Sequence, residues 1–216
     1  MRAFAAKGTS VVDPEINPTR CRHNPARWLG MLTRIDGALT SFSSYKSDHP
    51  LQPIDHETFL RRAFDIARRA RTHGNHPFGA ILVNAAGDVL IETENGFLPD
   101  RDMTAHAERL LATAASKQFG SDVLAGCTLY SSAEPCAMCA GAIYWAGIGR
   151  VVFGLSERRL KAITGDHAEN PTLDLPCRAV FATGQRHVEV IGPLLEEEAA
   201  ALHAGVWDLG RRSSTI

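Results

Sequence analysis

The stretch Cys127–Phe153, CTLYSSAEPCAMCAGAIYWAGIGRVVF, decides the fold. Cys127–Ser132 reads as a strand, and Arg150–Phe153 reads as another. Between them Pro135 sits where a helix begins and needs no N–H, so the run from Cys136 to about Trp145 reads as a helix. A strand, a helix and a strand in so few residues call for a right-handed parallel crossover. Open α/β sheets place their ligands at the carboxyl ends of strands, which here is the segment around Pro135.

Working outward, Asp55 caps a helix that runs to about Arg71, with Phe59, Leu60, Ala63, Phe64 and Ala67 as its apolar stripe and Gly74 at its end. Gly79–Val83 and Val89–Thr93 are predicted strands joined by a turn at Ala86-Gly87-Asp88. A second helix is expected from Ala105 to about Gln118, capped by Thr104. Val188–Ile191 reads as a fifth strand and Leu194 to about Val206 as a closing helix. The expected fold class is α/β, a three-layer α/β/α sandwich with a mixed five-stranded sheet, spanning residues 54–216. Residues 1–53 mix Pro14, Pro18, Pro25 and Pro50 with scattered charge and no sustained period, and are expected to form a poorly ordered N-terminal extension.

His106, Cys136 and Cys139 have the chemistry of metal ligands. The two cysteines, three apart, share one helical face, and a helix N-terminus favours thiolates. Three protein ligands leave one tetrahedral position open, the mark of a catalytic zinc rather than a structural one. An ion held there lowers the pKa of water toward about 7. Glu108, two residues after His106, is not needed as a ligand. It is the candidate general acid–base, able to take a proton from the water and hand it on. A structural zinc knuckle, with a fourth ligand drawn from the remaining His and Cys residues, is the competing reading.

Composition sets bounds on the partners. The 216 residues are 44% hydrophobic and 22% charged, with a formal net charge of −1, which suits one globular domain acting on a small substrate more than a protein built for a polyanion. Arg61, Arg62, Arg68, Arg69 and Arg71 form the dense basic cluster, which on a helix reads as a solvated face. Beyond the two expected ligands, Cys21, Cys127 and Cys177 are scattered and odd in number, so no disulfide framework is indicated. Zinc thiolates must stay reduced, which points to the cytoplasm. No apolar run approaches the roughly 18 residues of a membrane span.

From about Asp55 to Gly154 the chain resembles the cytidine deaminase-like superfamily, in the branch of tRNA adenosine, guanine and fungal-type cytosine deaminases. The residues that carry the resemblance are His76-Pro77-Phe78-Gly79-Ala80, Asn95, Thr104-Ala105-His106-Ala107-Glu108, Ser132 through Cys139 and Gly141 through Ala146. The H-x-E and P-C-x-x-C pattern is the signature of zinc nucleobase deaminases. The resemblance implies one zinc per subunit on His106, Cys136 and Cys139, with Glu108 as proton shuttle. It further implies Asn95, the backbone N–H of Ala107, Phe78 and Trp145 at the substrate, and a homodimer. Guanine deaminases carry a Phe-Asp-Asp element where this chain reads Gly165-Asp166-His167-Ala168-Glu169-Asn170-Pro171, so Asp166 or Glu169 would have to stand in.

The resulting expectation is hydrolytic deamination of a nucleobase or nucleoside, of guanine or cytosine type, with release of ammonia. A tRNA-specific adenosine deaminase is the second reading, with tRNA as partner, and a catalytically silent zinc dimerisation domain is the third. An intact Glu108 argues against the third, because a silent domain has no use for a proton shuttle.

Overall fold

A computed structural model describes residues 54–207, so the extension expected over 1–53 lies outside the described residues. Helix α1 (His56–Thr72) opens on Asp55, whose carboxylate accepts the N–H groups of Glu57 and Thr58. Those are donors the first turn cannot satisfy itself. The strands are β1 (Gly79–Val83), β2 (Val89–Glu94), β3 (Thr128–Ala133), β4 (Arg150–Leu155) and β5 (Glu189–Ile191). They form one sheet in the order β2-β1-β3-β4-β5. β1 runs antiparallel to β2 and β3, while β3, β4 and β5 are parallel, so the sheet is mixed as expected.

Alternation along the strands builds two cores. Ala80, Leu82, Leu129, Val151 and Phe153 face one side, against α2 (Ala107–Gln118), α4 (Ala137–Ala146) and α6 (Cys177–Ala182). Ile81, Val83, Tyr130, Val152 and Leu155 face the other, against α1, α5 (Glu157–Thr164) and α7 (Glu196–Ala201). This is the three-layer sandwich, with each face of the sheet covered by helices. The largest fully buried side chain, Tyr130, satisfies its hydroxyl on His56 Nδ1 at 2.9 Å.

Three short helices escaped the sequence reading: α3 (Ser121–Leu124), α5 and α6. Each is eight residues or fewer, too short to show a helical period. The closing helix is also shorter than expected, six residues rather than thirteen. Thr104 does not cap α2; Asp102 Oδ1 takes both its N–H and its hydroxyl, and His106 becomes the N-cap without a side-chain bond of its own. The Asp102 turn thereby leaves the His106 imidazole free to face α4.

Candidate metal centre and pocket

Two helix N-termini make the centre. Cys136 is the N-cap of α4 and Cys139 lies one turn in; His106 is the N-cap of α2. Neither cap residue bonds its own helix, so its side chain is available for something else. His106 Nδ1 stands 3.6 Å from Cys136 Sγ and 3.6 Å from Cys139 Sγ. In a tetrahedral centre with Zn–N of about 2.0–2.1 Å and Zn–S of about 2.3 Å, neighbouring N and S donors lie about 3.6 Å apart. The three donor atoms are within 4.8 Å of one another, and among the described residues no fourth protein donor joins them. The donor set therefore fits zinc with one corner left for a water or substrate.

Electrostatics agree. The Cys136 thiol is lowered to about 4, first by its hydrogen bond with Cys139 and also by that with His106, against the cost of burial. The Cys139 thiol is pushed up by the same shared proton and by burial. Burial works against a charged His106, yet its bond to Cys136 and the fields of Glu108 and Cys136 raise its pKa.

Glu108 is 4% exposed, on the first turn of α2. Ser131 Oγ donates to its Oε1 at 2.7 Å, and Cys139 Sγ lies 3.7 Å from its Oε2. Burial raises its pKa, with His106 and Ser131 pulling the other way. A carboxyl so placed, beside the donor set and easily protonated, is equipped to pick up and hand on a proton.

Above the centre lies a cavity of about 210 Å³. Phe78, Met103, Glu108, Glu157, Leu160 and Leu173 are among its walls, with Glu169 and Asn170 at one side. Phe78, expected at the substrate, is one of these walls. Of the two acids weighed as stand-ins for the missing Phe-Asp-Asp, Glu169 lines the cavity and bonds His76 Nε2 at 3.0 Å, while Asp166 is exposed. Asn95 is buried, but its side-chain oxygen accepts the Phe97 N–H at 3.0 Å, and it is not among the cavity walls. Ala107 is fully buried at the start of α2, and its carbonyl accepts the Thr93 hydroxyl.

Trp145, expected at the substrate, is 86% exposed and is not among the walls of the cavity. It follows Met138, which is one of those walls, by about two helical turns on nearly the same face of α4.

Sequence reasoning missed Ser131, Glu134 and Glu157. Ser131 follows Leu129 by two residues on the strand face that meets α2, so strand alternation carried that signal. Glu134 and Glu157 lie just past the carboxyl ends of the parallel neighbours β3 and β4. Glu134 is buried, with Oε2 accepting the Glu157 N–H at 3.0 Å and Oε1 the Cys177 N–H at 2.9 Å. That clamps α5 and α6 onto the loop holding Cys136. The Glu157 carboxyl is pushed up to about 8 by burial and then by the fields of Cys136, Glu134 and Glu108.

Residues 53–155 match the family described as the cytidine and deoxycytidylate deaminase zinc-binding region. The chain is 42% identical over 153 residues to a probable cytosine deaminase of Schizosaccharomyces pombe, covering 71% of this chain and 93% of that one. It is 37% identical over 125 residues to the tRNA-specific adenosine deaminase of Haemophilus influenzae, covering 55% and 72%. Among solved structures, the guanine deaminase of Nitrosomonas europaea aligns with a TM-score of 0.56 at 28% identity, over 68% of this chain and 81% of that chain.

Proposed function

The chain belongs to the zinc-dependent cytidine and deoxycytidylate deaminase family, and from that premise we propose that it deaminates an unphosphorylated nucleobase or nucleoside, of cytosine or guanine type. The reaction class, hydrolytic removal of an amino group from a nitrogen heterocycle, comes with the family. The observation that carries the substrate reading is the lining of the cavity. Glu108, Glu134, Glu157 and Glu169 contribute to it, and among the described residues no Lys or Arg does. Such a pocket attracts N–H donors and repels phosphate. Four of the five arginines of α1, Arg61, Arg62, Arg68 and Arg69, each pair with a carboxylate, and none of the five lines the cavity.

When bound by His106, Cys136 and Cys139, zinc supplies a Lewis acid that makes water nucleophilic near neutral pH. Glu108, held in place by Ser131, would take one proton from the attacking water and give it to the ring nitrogen, then take the remaining hydroxyl proton and give it to the amine, which leaves as ammonia. Phe78 and Leu160 exclude bulk water from the cavity, which strengthens each of these contacts. Asn95 and the Ala107 N–H are assigned to orienting the base. The part-exposed stripe Met138, Ala142 and Trp145 on α4 supports a homodimer. Among the described residues no helix is long and apolar enough to cross a membrane, and the zinc thiolates favour a cytoplasmic, nucleobase-salvage setting.

The test is ammonia release by purified protein from cytosine, guanine, adenine, their nucleosides, deoxycytidylate and tRNA. Release from a free base or nucleoside, with deoxycytidylate inert, is expected; release from deoxycytidylate or tRNA alone contradicts the reading. The likeness to the H. influenzae enzyme keeps tRNA adenosine as the second reading. Its signature is tRNA binding that weakens steeply with salt.

A further inference from the structure

Resting on the substrate reading above, we propose that Glu157 is a specificity-determining residue that accepts a hydrogen bond from the amino group the reaction removes. Its place follows from the sheet. β3 and β4 are parallel neighbours with Ala133 opposite Leu155, and Glu134 N–H donates to Leu155 O at 2.7 Å. Glu157 and Cys136 therefore leave the same sheet edge two and three residues beyond that pair. The Glu157 N–H is then fixed on Glu134, so the start of α5 cannot drift from the metal loop.

What singles Glu157 out is an unused acceptor. It is 4% exposed and lines the cavity, yet among the described residues nothing donates a hydrogen bond to its carboxyl. The other three acids of the cavity are engaged: Glu108 by Ser131, Glu134 by two backbone N–H groups, Glu169 by His76. The carboxyl opens on the cavity rather than being sealed in protein, so a ligand in the cavity can supply the donor that the protein does not. The reacting carbon must sit at the metal donors, so its amino group is the ligand donor nearest to the Cys136 loop. Glu157 meets that amine as two N–H donors in the substrate and as ammonia or ammonium once the C–N bond has broken. It forms and breaks no covalent bond itself.

The test measures binding without turnover, in protein carrying Glu108→Gln. Affinities are compared for guanine against hypoxanthine, which lacks the 2-amino group, and for cytosine against 2-hydroxypyrimidine, which lacks the 4-amino group. With Glu157 intact the amino-bearing partner of one pair binds about 2- to 10-fold tighter, the worth of a hydrogen bond to an uncharged carboxyl. Adding Glu157→Ala abolishes that preference while the amino-free base binds as before and zinc content holds. Glu157→Gln, which keeps the shape and one acceptor oxygen, retains part of it, and serves alone if the alanine variant does not fold. Equal losses for both members of the pair, or an unchanged preference in either variant, overturn the assignment. Failure of both amino-bearing bases to bind with Glu157 intact overturns the substrate reading instead, and this proposal with it.

Discussion

Ser131 Oγ donates to Glu108 Oε1 at 2.7 Å, tying the end of β3 to the first turn of α2 beneath the metal donors. The bond leaves Oε2 on the side of Cys139 and the cavity. Ser131→Ala removes it without touching a zinc ligand. A lost bond to a charged group costs about 1.5–3 kcal/mol, so kcat should fall about 10- to 100-fold with zinc content unchanged. Steady-state kinetics beside metal analysis decides it; an unchanged kcat removes the positioning role.

Glu108→Gln keeps the shape of the side chain and removes its ability to carry a proton. Zinc should stay bound while turnover drops by roughly 10²–10⁴ or more. Turnover near wild type takes the proton shuttle away from Glu108.

Glu134 uses both carboxylate oxygens on backbone N–H groups, those of Glu157 and Cys177. In Glu134→Gln an amide NH₂ faces one of those N–H groups and leaves a buried donor unpaired, which costs about 1–3 kcal/mol. For a domain of this size the melting temperature should fall by about 3–10 °C, read by calorimetry. No change means that α5 and α6 are not anchored through this side chain.

His203 is 1% exposed and accepts the Trp207 Nε1–H on Nδ1 at 3.1 Å, so its proton sits on Nε2, which has no acceptor among the described residues. Burial lowers its pKa from 6.5 to about 4, with Arg71 adding a little. Between those values the unfolded chain binds a proton that the fold refuses. Stability is therefore lost as pH falls from about 6.5 to about 4, by up to about 3 kcal/mol from this group. Urea unfolding of wild type and His203→Phe across that range should converge toward acid pH as the variant escapes the loss. Parallel curves contradict it.

The sheet and the metal donors were legible because each rests on a short-range pattern. Alternation in β1, β3 and β4, the Asp55 cap and the spacing of Cys136 and Cys139 report local geometry. What was illegible depends on the far side of the fold. Glu134 reads as one acid among many until the parallel register puts it beside the N–H groups of Glu157 and Cys177. The segment through Glu169 and Leu173 has no period, and its place on the cavity comes from tertiary contacts such as His76 with Glu169.

The central claim is that His106, Cys136 and Cys139 hold a zinc ion on which base deamination depends. Ammonia release from cytosine and guanine, measured before chelation, after it, and after zinc is restored, tests that most directly. Activity should vanish with the metal and return at one zinc per chain. Undiminished release from protein shown to be metal-free contradicts the account.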